Sequence, residues 1–122
     1  MNTADHLKLG EALAPLRNEN IMIIGSGHTT HNSSMDRPTP AWYIQFQKWF
    51  NDTMTNTKYS REERKQRLLV SQDQPGFRDA HPTPEHYLPV VVMSAAAGYA
   101  PGRIMYEETI LGSLIVSHLR FD

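Results

Sequence analysis

A chain of 122 residues with 12 Lys+Arg against 13 Asp+Glu carries a formal net charge of −1. That length allows one domain with a modest core, and the balanced charge lacks the electrostatic footprint of a nucleic-acid binder. The absence of cysteine excludes disulfides, thiolate metal sites and thiol nucleophiles, so any metal must be held by imidazole and oxygen donors.

The polar N-terminus does not follow the layout of a signal peptide. Residues 4–17 place Leu7, Leu9, Leu13 and Leu16 near helical spacing, with Lys8, Glu11 and Arg17 elsewhere, which predicts an amphipathic helix. Asn18-Glu-Asn20 ends it. Ile21-Met-Ile-Ile24 then reads as a short buried strand, closed by a tight turn at Gly25-Ser-Gly27. Helix, strand and glycine turn in that order suggest an α/β layered fold.

Ligands in open α/β sheets bind beyond the carboxyl ends of strands, so His28 and His31 fall where a site is expected. Asn32 beside them either orients a ring or a substrate oxygen, or makes a turn. As a phosphate loop this stretch lacks the lysine and the further glycine that such motifs require.

Pro38 and Pro40 mark a loop. Trp42, Phe46, Trp49 and Phe50 follow at three- and four-residue steps, an aromatic helix face suited to core packing. Residues 61–70 form a charged helix ending in Leu68-Leu-Val70. Glu62 and Glu63 dilute its basic cluster, Arg61 to Arg67, which reads as a solvated face. Ser71 to Ala80 is a polar loop containing Pro75-Gly76.

His81-Pro-Thr-Pro-Glu-His-Tyr-Leu-Pro89 is the densest chemical signal in the chain. Thr83 can cap a helix, Pro84 suits its first position, and Glu85 and His86 then occupy the first turn. The apolar run behind them carries that helix to about Gly98. A histidine so placed is useful as a metal ligand or an acid/base group; the alternative is that His86 packs under the helix. Leu88 to Ala100, the longest apolar run, is too short to span a bilayer, and a soluble cytoplasmic protein is expected. Arg103 to Ile110 and Ser113 to Phe121 read as two strands with Gly112 between them. Three apolar strands make a sheet that leaves a face or an edge uncovered.

Four segments in order resemble the catalytic B-subunit family of class III extradiol ring-cleavage dioxygenases, in particular its DOPA-dioxygenase branch. They are Leu9-Gly-Glu-Ala-Leu-Ala-Pro-Leu-Arg17, Ile23-Ile-Gly-Ser-Gly followed by His31-Asn32, the His81 to Pro89 motif, and Gly112-Ser-Leu with the closing Arg-Phe-Asp122. The resemblance implies a small mixed sheet flanked by helices, the C-terminal half of a larger α/β dioxygenase fold.

It also implies one divalent metal, Fe(II) or Zn(II), and a catechol substrate cleaved beside its hydroxyls with O2. No nucleic-acid or membrane partner is implied. The position of His86 matches a metal ligand, that of His31 the active-site acid/base histidine, and Asn32 is assigned to substrate contact. No role carries over to His28, His81, His6 or His118. A catecholate takes two metal positions and dioxygen needs another, so the protein supplies about three ligands.

The family carries two further metal histidines in an N-terminal half that precedes the first helix seen here. Ser33 also replaces its usual apolar residue. The expectation is therefore half a metal site. That half belongs either to a ring-cleaving enzyme or to a non-catalytic module that completes its fold by homo-oligomerisation or by pairing with a separate N-terminal chain.

Overall fold

The structure, a computed structural model, describes residues 2–32 and 39–122; the expectations for Ser33 and Pro38 lie outside them. The described residues form an α/β fold of five α-helices, two 3-10 turns and one two-stranded antiparallel sheet. None of these helices is long and apolar enough to cross a membrane.

Helix α1 spans Thr3–Leu13 and starts on a capping box, in which Asn2 and Asp5 satisfy each other's backbone N–H groups. A 3-10 turn, Ala14–Glu19, continues it to Asn20, whose left-handed backbone (φ 59°) ends the element where the Asn-rich stretch predicts. Of its leucines, Leu7 is buried while Leu9 is exposed. The helix instead makes its closest approach through Gly10. A Cβ there would lie 2.3 Å from the Val92 carbonyl oxygen and 2.6 Å from the Ala95 Cβ. Both belong to helix α5, Leu88–Ala96. Gly10→Ala is expected to cost about 1–3 kcal/mol by forcing the two helices apart, read as a lower midpoint in chemical denaturation.

Helix α2, Ala41–Thr55, buries the aromatic face expected of it: Phe46 and Phe50 are fully enclosed, and Trp42 and Trp49 pack at the margin. Helix α3, Arg61–Leu69, opens on a second capping box, Ser60 with Glu63. The solvated face expected for Arg61 to Arg67 needs correcting at one position. Arg64 is completely buried. Its Nε donates to the Thr53 carbonyl at 2.9 Å, Nη1 to that of Tyr99 at 2.8 Å, and Nη2 to that of Asn56. Helical spacing puts Arg64 on the inward side with Leu68, and carbonyls of α2's last turns, of Asn56 and of the Tyr99 turn meet it there.

A 3-10 turn, Ser71–Asp73, and the one-turn helix α4, Phe77–Ala80, lead to the His81 motif. The helix expected from Thr83 does not start there. Residues 82–84 bend and 85–87 form a turn, with the N–H groups of Tyr87 and Leu88 both bonding the Pro84 carbonyl. Helix α5 begins at Leu88 and takes Pro89 in its first turn. The reason lies in Pro89 itself: within a helix begun at Thr83 its missing N–H would break the ladder and its ring would clash. At the start of α5 that N–H has no partner to lose.

Strands β1 (Arg103–Ile110) and β2 (Leu114–Arg120) form the expected hairpin, turned through left-handed Leu111 and Gly112. The Glu107 carboxylate fixes it to α2 by accepting from Gln47, Asn51 and, across the hairpin, Ser117. The third expected strand is absent. Ile21 to Ile24 adopts no strand pairing among the described residues, and Met22 and Ile24 are 80% and 77% exposed. The segment pairs with neither edge of the two-stranded hairpin, and a lone extended run cannot satisfy its backbone or bury both faces.

Candidate functional site

The segment after Ile24 runs alongside the start of α5, and its glycines make that course possible. They act through close approach rather than a turn. A Cβ on Gly27 would sit 2.2 Å from the His86 carbonyl oxygen, and one on Gly25 would sit 2.7 Å from Met93 Cγ. Beyond them the chain is stitched on both sides. Thr30 Oγ1 donates to the Ser113 carbonyl and accepts from the Ile115 N–H, both at 2.7 Å. The His31 N–H bonds the Ala80 carbonyl at 2.8 Å, and Asn32 Nδ2 donates to the Asp79 carbonyl at 2.6 Å.

These bonds bring the two chemical motifs of the sequence into one place. The rings of His31 and His86 stack with centroids 3.8 Å apart, and His28 lies 5.0 Å from His86 and 5.9 Å from His31. Glu85 joins them, with Oε1 3.8 Å from His31 Nδ1. One donor atom from each of His31, Glu85 and His86 can be chosen so that all three lie within 4.8 Å of one another. Two imidazoles and a carboxylate on that scale suit a divalent cation after small side-chain rotations.

The electrostatics favour an ionised Glu85 and a neutral His28. The Thr83 hydroxyl donates to Glu85 at 2.9 Å, and this bond is the main cause holding its pKa below the ordinary glutamate value. Burial is the main cause lowering the pKa of His28, with repulsion from His86 and His31 adding to it. Its Nδ1 is buried and meets no hydrogen-bond partner among the described residues. A cavity of about 660 Å³ opens beside the cluster, between the Ile21 to Thr29 segment, α5 and the end of β2. His28 and His86 reach its wall, and Pro89, Val90 and Met93 supply apolar lining.

Sequence reasoning set aside two residues that the structure brings into play. His28 completes the histidine cluster. His81 is 3% exposed, and its Nε2 donates to the Thr29 carbonyl at 2.8 Å. That bond ties the His28–Asn32 segment to the loop bearing His86, so His81 positions the site without facing it. The only signal in the sequence was the pairing of His81 with His86 in one motif, which does not tell a brace from a ligand. His6 bonds the Asn2 carbonyl and His118 packs on Tyr106, both away from the cluster.

Residues 1–116 match the family described as the catalytic LigB subunit of aromatic ring-opening dioxygenase. The chain is 38% identical to a 4,5-DOPA dioxygenase extradiol of Beta vulgaris over 76% of its own length and 34% of that protein's. It is 30% identical to the Portulaca grandiflora protein of the same name (99% of this chain, 45% of that one) and 32% to the Escherichia coli K12 one (89% and 41%). A crystal structure of an uncharacterized Escherichia coli K12 protein superposes with a TM-score of 0.79 at 30% identity, over 98% of this chain and 50% of that one. The chain thus spans half or less of the length of these relatives.

Proposed function

The chain belongs to the catalytic LigB family of aromatic ring-opening dioxygenases, and from that membership we propose that it carries the proton-transfer and metal-binding face of an extradiol enzyme that opens catechol-type rings with O2. The observation that carries this reading is the stacked His31–His86 pair at 3.8 Å, fed by two motifs more than fifty residues apart in sequence.

His86 is assigned as a metal ligand, with Fe(II) or Zn(II) as the ion. A divalent metal bound there supplies Lewis acidity toward the catechol oxygens and, as iron, the redox capacity that dioxygen chemistry requires. His31 takes the proton of a catechol hydroxyl and returns it after ring opening, the general acid–base work for which a positioned imidazole is suited. Asn32, fixed by its bond to Asp79, is assigned to substrate contact. The apolar wall of Pro89, Val90 and Met93 suits the face of an aromatic ring.

Protein loaded with Fe(II) under anaerobic conditions and then given a 4-substituted catechol and air is expected to consume oxygen and form a yellow ring-opened product. His31→Ala should slow turnover by roughly 10²-fold or more. His86→Ala should weaken metal binding on the order of 100-fold, since even outer partners of metal ligands are worth 10–100-fold. Metal binding and turnover untouched by both substitutions would remove the assignment.

A second reading rests on the exposed Ile21, Met22 and Ile24. In it the chain is a non-catalytic module that covers this segment by self-association or by pairing with a separate chain. A monodisperse monomer by light scattering that also turns over catechol would exclude this reading.

A further inference from the structure

We propose that His28 is a substrate-binding residue: its Nε2–H donates a hydrogen bond to the catechol oxygen that His31 does not deprotonate, and so commits the site to vicinal diols over monophenols. The proposal rests on the catechol reading given above and deepens it by naming the feature of the substrate that is recognised.

The backbone around His28 is braced on each side. Gly27 lies so close to the His86 carbonyl that a Cβ would meet that oxygen at 2.2 Å. The Thr29 carbonyl accepts from His81 at 2.8 Å, and Thr30 Oγ1 bonds both the Ser113 carbonyl and the Ile115 N–H. The ring is thereby held where it stands, edge-on to His86 at 5.0 Å and 5.9 Å from His31.

Its two nitrogens differ. Nδ1 is enclosed and has no partner among the described residues. An N–H placed there would be a buried donor without an acceptor, an arrangement that folded chains avoid. The proton therefore sits on Nε2. Nε2 is not enclosed in this way, and no hydrogen bond among the described residues occupies it. Because His28 stands in the wall of the cavity of about 660 Å³, it brings a fixed donor to that space.

A vicinal diol suits the pair formed by His28 and His31. Its two oxygens sit on neighbouring ring carbons, and hydrogen bonds reach about 2.7–3.2 Å. Imidazoles with centres 5.9 Å apart can therefore each take one oxygen. His31 accepts the proton of one, and His28 donates to the other. A phenol with a single hydroxyl leaves one imidazole without its partner, and a site built around a polar contact rejects the analogue that lacks it. Packing alone does not account for His28: Pro89, Val90 and Met93 line the cavity with apolar surface, and a side chain that only filled the wall would need no nitrogen.

The test is titration with 4-nitrocatechol, and with 4-nitrophenol as the single-hydroxyl control, followed by visible absorption. It compares the wild type, His28→Phe and His28→Gln, each with one equivalent of Zn(II) and without it. Circular dichroism checks each fold, and competition with a coloured chelator gives each Zn(II) affinity. The wild type is expected to bind the catechol at least roughly 10-fold more tightly than the phenol, and His28→Phe to lose about 10-fold in catechol affinity, the contribution of one hydrogen bond to a charged oxygen. Its phenol and Zn(II) affinities should stay unchanged. His28→Gln, which keeps an N–H at similar reach, should recover most of the loss. Equal catechol affinity in His28→Phe and wild type overturns the proposal and leaves the catechol reading standing. A His28→Phe that also loses Zn(II) overturns it too, since the residue is then a metal ligand. A wild type that binds no 4-nitrocatechol at millimolar concentration, with or without Zn(II), overturns it as well, and oxygen uptake with catechol then decides the enzymatic reading separately.

Discussion

Arg64→Met is expected to lower the stability of the chain by about 3–5 kcal/mol, a large share of the roughly 5–15 kcal/mol typical of a domain. The guanidinium is fully buried and donates to three backbone carbonyls, those of Thr53, Asn56 and Tyr99. Methionine matches much of its volume but supplies no donor. The Thr53 and Tyr99 carbonyls are the buried acceptors that lose this donor, at about 1–3 kcal/mol each, while the Asn56 carbonyl keeps the Tyr59 N–H. The three carbonyls lie in the end of α2, the loop after it and the turn after α5, so one side chain joins three elements. Arg64→Lys should recover only part of the loss, because an ammonium cannot reproduce the planar fork. Urea denaturation of the three proteins provides the measurement; a methionine variant within 1 kcal/mol of wild type would refute the account.

The second large effect is loss of stability on mild acidification, driven by His81. Burial among Phe46, Phe77 and Tyr87 lowers its pKa from 6.5 to about 4, against the opposing pull of its bond to Thr29. With Nε2 donating to the Thr29 carbonyl, the proton would have to enter at Nδ1, which is buried and unpartnered among the described residues. The unfolded chain therefore takes up the proton first as pH falls. The contribution is complete above about pH 6.5, declines between 6.5 and 4, and changes no further below that. A shift of this size corresponds to about 3 kcal/mol.

Denaturation midpoints between pH 7.5 and 4.5 should fall steeply for wild type. His81→Phe should be less stable at pH 7.5, having lost the Thr29 bond, but should show a flatter profile. Equal slopes for the two proteins would remove His81 as the cause. The same bond holds the His28–Asn32 segment against the His86 loop, so metal binding should weaken over the same interval.

The local pattern of the sequence accounts for elements whose signals agree among themselves. The aromatic steps from Trp42 to Phe50, the Ser60 cap with its charged helix, and the strands around Gly112 all form close to where their spacing puts them. The Thr83 cap misled because a competing signal, Pro89, stood six residues further on and decided where the helix could begin. The motifs that contain them single out His31 and His86 as candidates, and the structure brings their rings together.

Spacing within a few residues and short motifs read whole are enough to specify the periodic helices, the hairpin and the family to which the chain belongs. Tertiary structure alone decided which polar groups are buried and what they bond. Arg64 becomes a core residue only because three carbonyls from distant segments converge on it. His81 becomes a brace only when Thr29 comes within 2.8 Å. Glu85 enters the cluster only because the chain turns before α5 instead of coiling into it. The Ile21 to Ile24 run shows the same dependence in reverse. Its apolar pattern specifies a strand, but a strand exists only where another backbone pairs with it, and no described segment of this chain does so.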